Sequence, residues 1–186
     1  LQDGQRLGRE LHVSINLSGQ SIGEEGFLSY VTEKLDLLGA CATQVCFEVT
    51  ETVAVNNLSL AVSFIETIKR YGCKFSLDDF GAGVSSFGYL KNLPVDFVKI
   101  DGVFIRAIDN SEVDEAMVKA ISQVARVMGM QTIAEFVENR EGFDTLEKIG
   151  IDYAQGYWIE KPRPIADVFQ SPQDTERSAL RLVGSE

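Results

Sequence analysis

Short apolar runs alternating with helix-length amphipathic segments constrain this chain more than any other feature. The runs fall at 11 to 18, 44 to 51, 74 to 79, 96 to 101, 131 to 137 and 153 to 159. Helical periodicity falls between them, at 26 to 38, 58 to 71, 85 to 92, 112 to 129 and 140 to 149. Val118, Ile121, Val124, Ala125 and Met128, spaced by three and four, define one apolar helix face. Gly39, Gly72, Gly129 and Gly150 follow four of the helical segments; a residue without Cβ enters the left-handed region at little cost there and ends the helix. Strands separated by helices pair in parallel through crossovers. The fold class is therefore α/β, either a doubly wound sheet or a (βα) barrel.

What stands at the end of each run selects between the two. Asn16, Glu48, Asp78 with Asp79, Lys99, Glu135 and Gln155 each occupy the point where an apolar run gives out. A doubly wound sheet collects its ligands at one switch point, whereas a barrel brings every strand end to one mouth, so the expectation is a modified TIM-type (βα) barrel. About six of its eight strands are legible. Leu1 to Leu11 read as the end of a helix with no preceding strand to cover. The domain is expected over 1–170, with 171–186 a polar tail or terminal helix carrying no obvious strand. Gly81-Ala82-Gly83 is too short for a dinucleotide or Walker loop.

A chain of 186 residues, 45% hydrophobic, suffices for one packed domain. Its net charge of −11 is the wrong sign for duplex nucleic acid, and an anionic ligand would need metals or local cations. Cys41, Cys46 and Cys73 lack metal-site spacing and read as reduced core cysteines of a cytoplasmic protein; His12 is the only histidine, so a His-based zinc site is excluded. No run is long enough to span a membrane.

Because strand side chains alternate, Ser14 should lie beneath Asn16, Cys46 beneath Glu48 and Ser76 beneath Asp78. Val13, Ile15, Leu17, Phe47, Val49, Phe75 and Leu77 should face the helices. Asn16, Glu48, Asp78, Asp79 and Glu135 offer the oxygen ligands that one or two Mg or Mn ions take. Lys99 either offsets negative charge near a nucleophile or forms a structural salt bridge with Asp101; spacing alone leaves both open. Gln155 is suited to orienting water or substrate.

Six segments, in order, resemble the EAL family of bacterial cyclic di-GMP phosphodiesterases: Val13-Ser-Ile-Asn-Leu-Ser18, Phe47-Glu-Val-Thr-Glu51, Leu77-Asp-Asp-Phe-Gly-Ala-Gly-Val-Ser-Ser86, Val98-Lys-Ile-Asp101, Ile133-Ala-Glu-Phe-Val-Glu138 and Ala154-Gln-Gly-Tyr157. The resemblance implies a modified (βα) barrel that hydrolyses cyclic di-GMP to pGpG with two Mg or Mn ions. By position, Asn16, Glu48 and Asp78 resemble the ligands of one ion, and Asp78, Asp79 and Glu135 those of the other. Lys99, Glu135 and Gln155 resemble the catalytic set. Glu51 resembles the glutamate that anchors the loop after Asp79, a loop linked in the family to metal binding and dimerisation; Asp101 and Glu138 resemble supporting positions of the cofactor site.

The Glu-Ala-Leu segment that names the family, with its ligand glutamate and following arginine, is absent from this sequence. Val84 stands where an aromatic is common, and Phe136 where glycine is common. Two functions are therefore carried forward: a phosphodiesterase whose intact parent supplies the early strands, and a non-catalytic cyclic di-GMP receptor or protein-interaction module. A homodimer and fusion to cyclase-like or sensory domains are what the family implies. Strands 11 to 18 and 153 to 159 are expected to be open, pairing-prone edges.

Overall fold

Three parallel strands form the frame of the first of two units, Leu1–Asp96 and Phe97–Glu186, into which the computed structural model divides the chain. The structure describes residues 11–83, 87–162, 164 and 181–182. Expectations for Leu1 to Glu10, for Val84 to Ser86 and for most of the tail lie outside the described residues.

In the first unit, β1 (Val13–Leu17), β2 (Val45–Thr50) and β3 (Lys74–Phe80) lie side by side, with Asn16 opposite Glu48, and Glu48 opposite Ser76. Ser18 opens α1 (Gly19–Gly23) by accepting the Ser21 N–H. There follow α2 (Phe27–Leu38), a 3₁₀ turn over Gly39–Gln44, α3 (Glu51–Asn56) and α4 (Leu58–Lys69). Ala61, Phe64, Ile65 and Ile68 bury one stripe of α4. Phe64 packs edge-on to Phe75 at 6.4 Å and stacks with Phe27 at 6.0 Å, while Phe47 meets Phe75 at 5.5 Å. This aromatic cluster joins helix to sheet. The residues of β2 and β3 expected to face the helices are buried, but Ile15 of β1 is 43% exposed, because among the described residues β1 pairs on one side only. A further helix, α5 (Phe87–Leu90), ends before the 92 expected.

The second unit repeats the pattern with β4 (Phe97–Ile100), α6 (Gly102–Ile105), α7 (Glu112–Val127), β5 (Gln131–Ala134), α8 (Arg140–Ile149) and β6 (Tyr153–Ala154). Strands β4, β5 and β6 pair in parallel. Ser111 caps α7, whose first turn carries Glu112, Asp114 and Glu115 against the positive end of the helix dipole. Asn139 caps α8, and Gly150 ends it at φ 84°. The expected tail without a strand is corrected at Arg181–Leu182, which forms β7 beside β6, so β6 is not the open edge anticipated.

One device fixes the start of a strand in each unit. Asp96, just before β4, accepts the Phe75 N–H on Oδ2 at 2.9 Å and the Lys69 ammonium on Oδ1 at 2.9 Å. Asp152, just before β6, accepts both the N–H and the hydroxyl of Thr132 on Oδ2, at 2.8 and 3.0 Å. In both cases the bonded residue is the second of a strand, so the start of β3 and of β5 is set from below while their far ends carry polar chemistry.

Candidate metal centre

Register places the first unit's candidates. Asn16 and Glu48 are lateral partners on β1 and β2, so they share a sheet face; Ser76 is the lateral partner of Glu48, and Asp78, two residues on, returns to that face. Asn16 is exposed, Asp78 half-buried and Glu48 buried. Ser76 is fully buried, and its Oγ has no hydrogen-bond partner among the described residues. A polar, oxygen-lined face thus sits among otherwise apolar packing. At the end of β3, Asp79 adopts φ 55° and its N–H donates to Asp78 Oδ1 at 3.1 Å. Aspartate tolerates this left-handed backbone better than most residues, and a carboxylate oxygen of Asp78 lies within 4.8 Å of one of Asp79.

Glu51 is 1% exposed, yet both carboxylate oxygens are engaged: Gly81 N–H donates to Oε2 at 3.1 Å and the Tyr89 hydroxyl donates to Oε1 at 2.7 Å. It is thereby bonded to the chain two residues beyond Asp79. Burial first, and then the hydrogen bond to Glu51 and its charge, hold the Tyr89 hydroxyl far above the usual phenol range. Tyr89 was not singled out by the sequence, which offers no signal that a tyrosine beyond the glycine loop would return to Glu51.

In the second unit Lys99 Nζ lies 2.9 Å from Glu135 Oε1, and both residues are buried. This ion pair joins Lys99 to the residue just past the next strand. Asp101 Oδ1 accepts the Val103 N–H at 2.7 Å and caps α6. Gln155 is half-buried and continues the ladder, its N–H donating to Ala134 O at 2.8 Å and its carbonyl accepting from Val137 N at 3.0 Å. Gly156 follows because no side chain fits: a Cβ there would lie 2.3 Å from the backbone N and O of Val137. Glu138 is exposed.

Just past Glu135, two residues that the sequence did not single out, Gly102 and Arg106, gather on Phe136. Phe136 adopts φ 55°; Gly102 lies so close that a Cβ on it would be 2.4 Å from Phe136 Cδ2; and the Arg106 guanidinium sits 4.4 Å from the centre of the Phe136 ring. Phe136 in place of glycine was the only sequence trace of this cluster.

The polar groups in both units stand at the carboxyl ends of parallel strands, the end where α/β barrel proteins carry their sites. Residues 1–162 match the family profile described as EAL domain, and the chain belongs to that family. It is 48% identical over 161 residues to the cyclic di-GMP phosphodiesterase PdeB of Shewanella oneidensis, covering 87% of this chain and 19% of that protein. It is 39% identical over 166 residues to the cyclic di-GMP phosphodiesterase PdeF of Escherichia coli, covering 89% and 22%. The chain therefore spans about a fifth of the length of these curated relatives. Among solved structures it resembles the EAL domain of Mycobacterium smegmatis DcpA, with a TM-score of 0.83, 30% identity and coverage of 90% of this chain and 75% of that one. It also resembles the PaMucR phosphodiesterase in complex with c-di-GMP, with a TM-score of 0.80, 29% identity and coverage of 90% and 67%. Its fold is thus that of EAL domains, which form TIM-like barrels. No helix among the described residues is long and apolar enough to cross a membrane.

Proposed function

We propose that this domain hydrolyses cyclic di-GMP to pGpG with two divalent ions, Mg or Mn, acting in the cytoplasm as part of a second-messenger system. The observation that carries the reading is the buried Lys99–Glu135 pair, 2.9 Å apart, in a chain that also keeps Asn16, Glu48, Asp78 and Asp79 at strand ends. A buried ion pair is costly to desolvate and is weak as a device for stability, so its retention at strand ends suits a role in chemistry. The donor set fits hard cations, being made of carboxylates and one amide with no histidine or thiolate. The buried Ser76 Oγ beneath Asp78 adds an oxygen with unused hydrogen-bonding capacity.

Asn16, Glu48 and Asp78 would hold one ion, and Asp78, Asp79 and Glu135 the other. When bound, such ions lower the pKa of water and polarise a phosphoryl oxygen. The chain's own groups supply the rest. Lys99 keeps a fixed positive charge where negative charge develops on the phosphodiester, and Glu135 holds that ammonium in place. Gln155 orients the substrate or the attacking water. Glu51, through Gly81 N–H, keeps the backbone after Asp79 from turning its carboxylate away. Asp101 supports the β4 end by capping α6, and Glu138 the β5 end. The domain is proposed to run over 1–170, to dimerise through the loop at 80–86 and the helix after β4, and to work fused to cyclase-like or sensory domains.

The test is to incubate the chain with cyclic di-GMP and Mn and to resolve the nucleotides by chromatography. Formation of pGpG, abolished by chelation, is expected. A second reading is a cyclic di-GMP receptor or protein-interaction module without turnover. Micromolar or tighter nucleotide binding by calorimetry with no pGpG would establish that reading over the first.

A further inference from the structure

In a regular parallel ladder, one residue's N–H and carbonyl bond the two residues that flank a single partner on the neighbouring strand. Gln155 N–H bonds Ala134 O at 2.8 Å, so its carbonyl should receive the N–H of residue 136. It receives that of Val137 instead, at 3.0 Å. Phe136 is therefore the extra residue of a one-residue bulge, and its φ of 55° is what the bulge demands. Glu135, immediately before it, is still in register with β4, its N–H donating to Ile100 O at 3.2 Å. The bulge thus sets where the chain turns just past Glu135.

Glycine takes this conformation freely, whereas a residue with a bulky side chain disfavours it by a factor of about ten. Something must hold Phe136 there. Its side chain lies close against Gly102, the first residue of α6, where a Cβ would come within 2.4 Å of Cδ2, 2.8 Å of Cγ and 3.0 Å of Cβ. The Arg106 guanidinium, on the same short stretch of chain, lies over the ring, 4.4 Å from its centre. The ring is gripped by one α6 backbone and one cation–π contact.

We propose that Gly102 and Arg106 are positioning residues for Glu135: gripping the Phe136 ring, they keep the bulge in its left-handed form and so hold the Glu135 carboxylate against Lys99. Its bearing on metal binding rests on the function proposed above. A glycine at 136 would need no grip, and that supplies the test. The variants Arg106→Ala, Gly102→Ala and Phe136→Gly, and each of the first two combined with Phe136→Gly, are pulsed with an amine-acetylating ester, and Lys99 modification is read by mass spectrometry. Arg106→Ala is expected to speed Lys99 acetylation about threefold and Gly102→Ala about tenfold. Phe136→Gly alone should leave it unchanged, and adding Phe136→Gly should return both other variants to the parent rate.

An unchanged rate in cooperatively melting Arg106→Ala, or failure of Phe136→Gly to restore it, overturns the inference; should Gly102→Ala not fold, the Arg106 pair of variants decides it. Calorimetric Mn titration of the same proteins separates this from the functional reading. Half-saturation should move in parallel with Lys99 acetylation. The predicted acetylation pattern in proteins that bind no Mn would uphold the grip on Glu135 and overturn the metal site.

Discussion

The end of β3 and the end of β5 place a carboxylate beside a left-handed residue in two different ways. At β3 the left-handed residue is Asp79 itself, a side chain short enough to accept φ 55°, and the support comes from a buried third party, Glu51, bonded to Gly81 and Tyr89. At β5 the left-handed residue is Phe136, which does not accept that backbone unaided, and the support is a ring packed on Gly102 and Arg106. Hydrogen bonds hold the first end and packing holds the second. A strand end can thus be made rigid either by choosing a residue that suits its backbone or by gripping one that does not.

The sharpest way to break this contrast is at Lys99. Removing one member of a buried ion pair leaves the other uncompensated, so Lys99→Met is expected to lower stability by about 3 to 5 kcal/mol, read as a fall in the urea midpoint. A loss below about 1 kcal/mol would mean that the β5 end is solvated and owes little to its pair. At the β3 end the corresponding variant is Glu51→Ala, which strips a buried carboxylate from two donors and leaves the Tyr89 hydroxyl without its acceptor. A loss of about 2 to 3 kcal/mol is expected. Calorimetric Mn binding should weaken with it; unchanged binding would show that the Gly81 contact does not govern the carboxylates before it.

The smallest effect concerns pH. Cys73, just before β3, is buried with its thiol donating to Ala42 O at 3.2 Å, and burial pushes it up to about 11. The folded chain holds this proton more tightly than the unfolded chain. The contribution is therefore complete below the unfolded value of about 9 and is lost as pH rises through the folded value, a change on the order of 2 kcal/mol. Urea midpoints between pH 8.5 and 11 should fall less steeply in Cys73→Ala than in the parent; equal slopes would mean that the Cys73 thiol does not drive the alkaline loss.

Asn16, Glu48, Asp78, Lys99, Glu135 and Gln155 were legible in the sequence because each ends an apolar run, and the position of a residue in a strand dictates its face. The long helices were legible for a similar reason, since a periodic stripe such as that of α4 or α7 is repeated over several turns. Helices α1, α3 and α6 were missed because four to six residues are too few to show a period. Strand β7 was missed because two residues carry no alternation. Run 153 to 159 shrank to Tyr153–Ala154, and 131 to 137 to Gln131–Ala134, because the bulge at Phe136 and the close approach of Gly156 to Val137 interrupt the ladder. Glu135, which pairs with Lys99, lies just past the next strand, and the contacts on Phe136 come from thirty or more positions earlier in the chain; no local pattern records either.

Asp96 and Asp152, which fasten the starts of β3 and β5, also bear on the order in which the chain is made. Each lies downstream of the amide it closes, by 21 and 20 residues respectively. On a ribosome the amide of Phe75 has no Asp96 to bond until the following strand is about to appear, and the same holds for Thr132 and Asp152. Completion of one strand is thus written into the arrival of the next, so synthesis and closure proceed in the same direction.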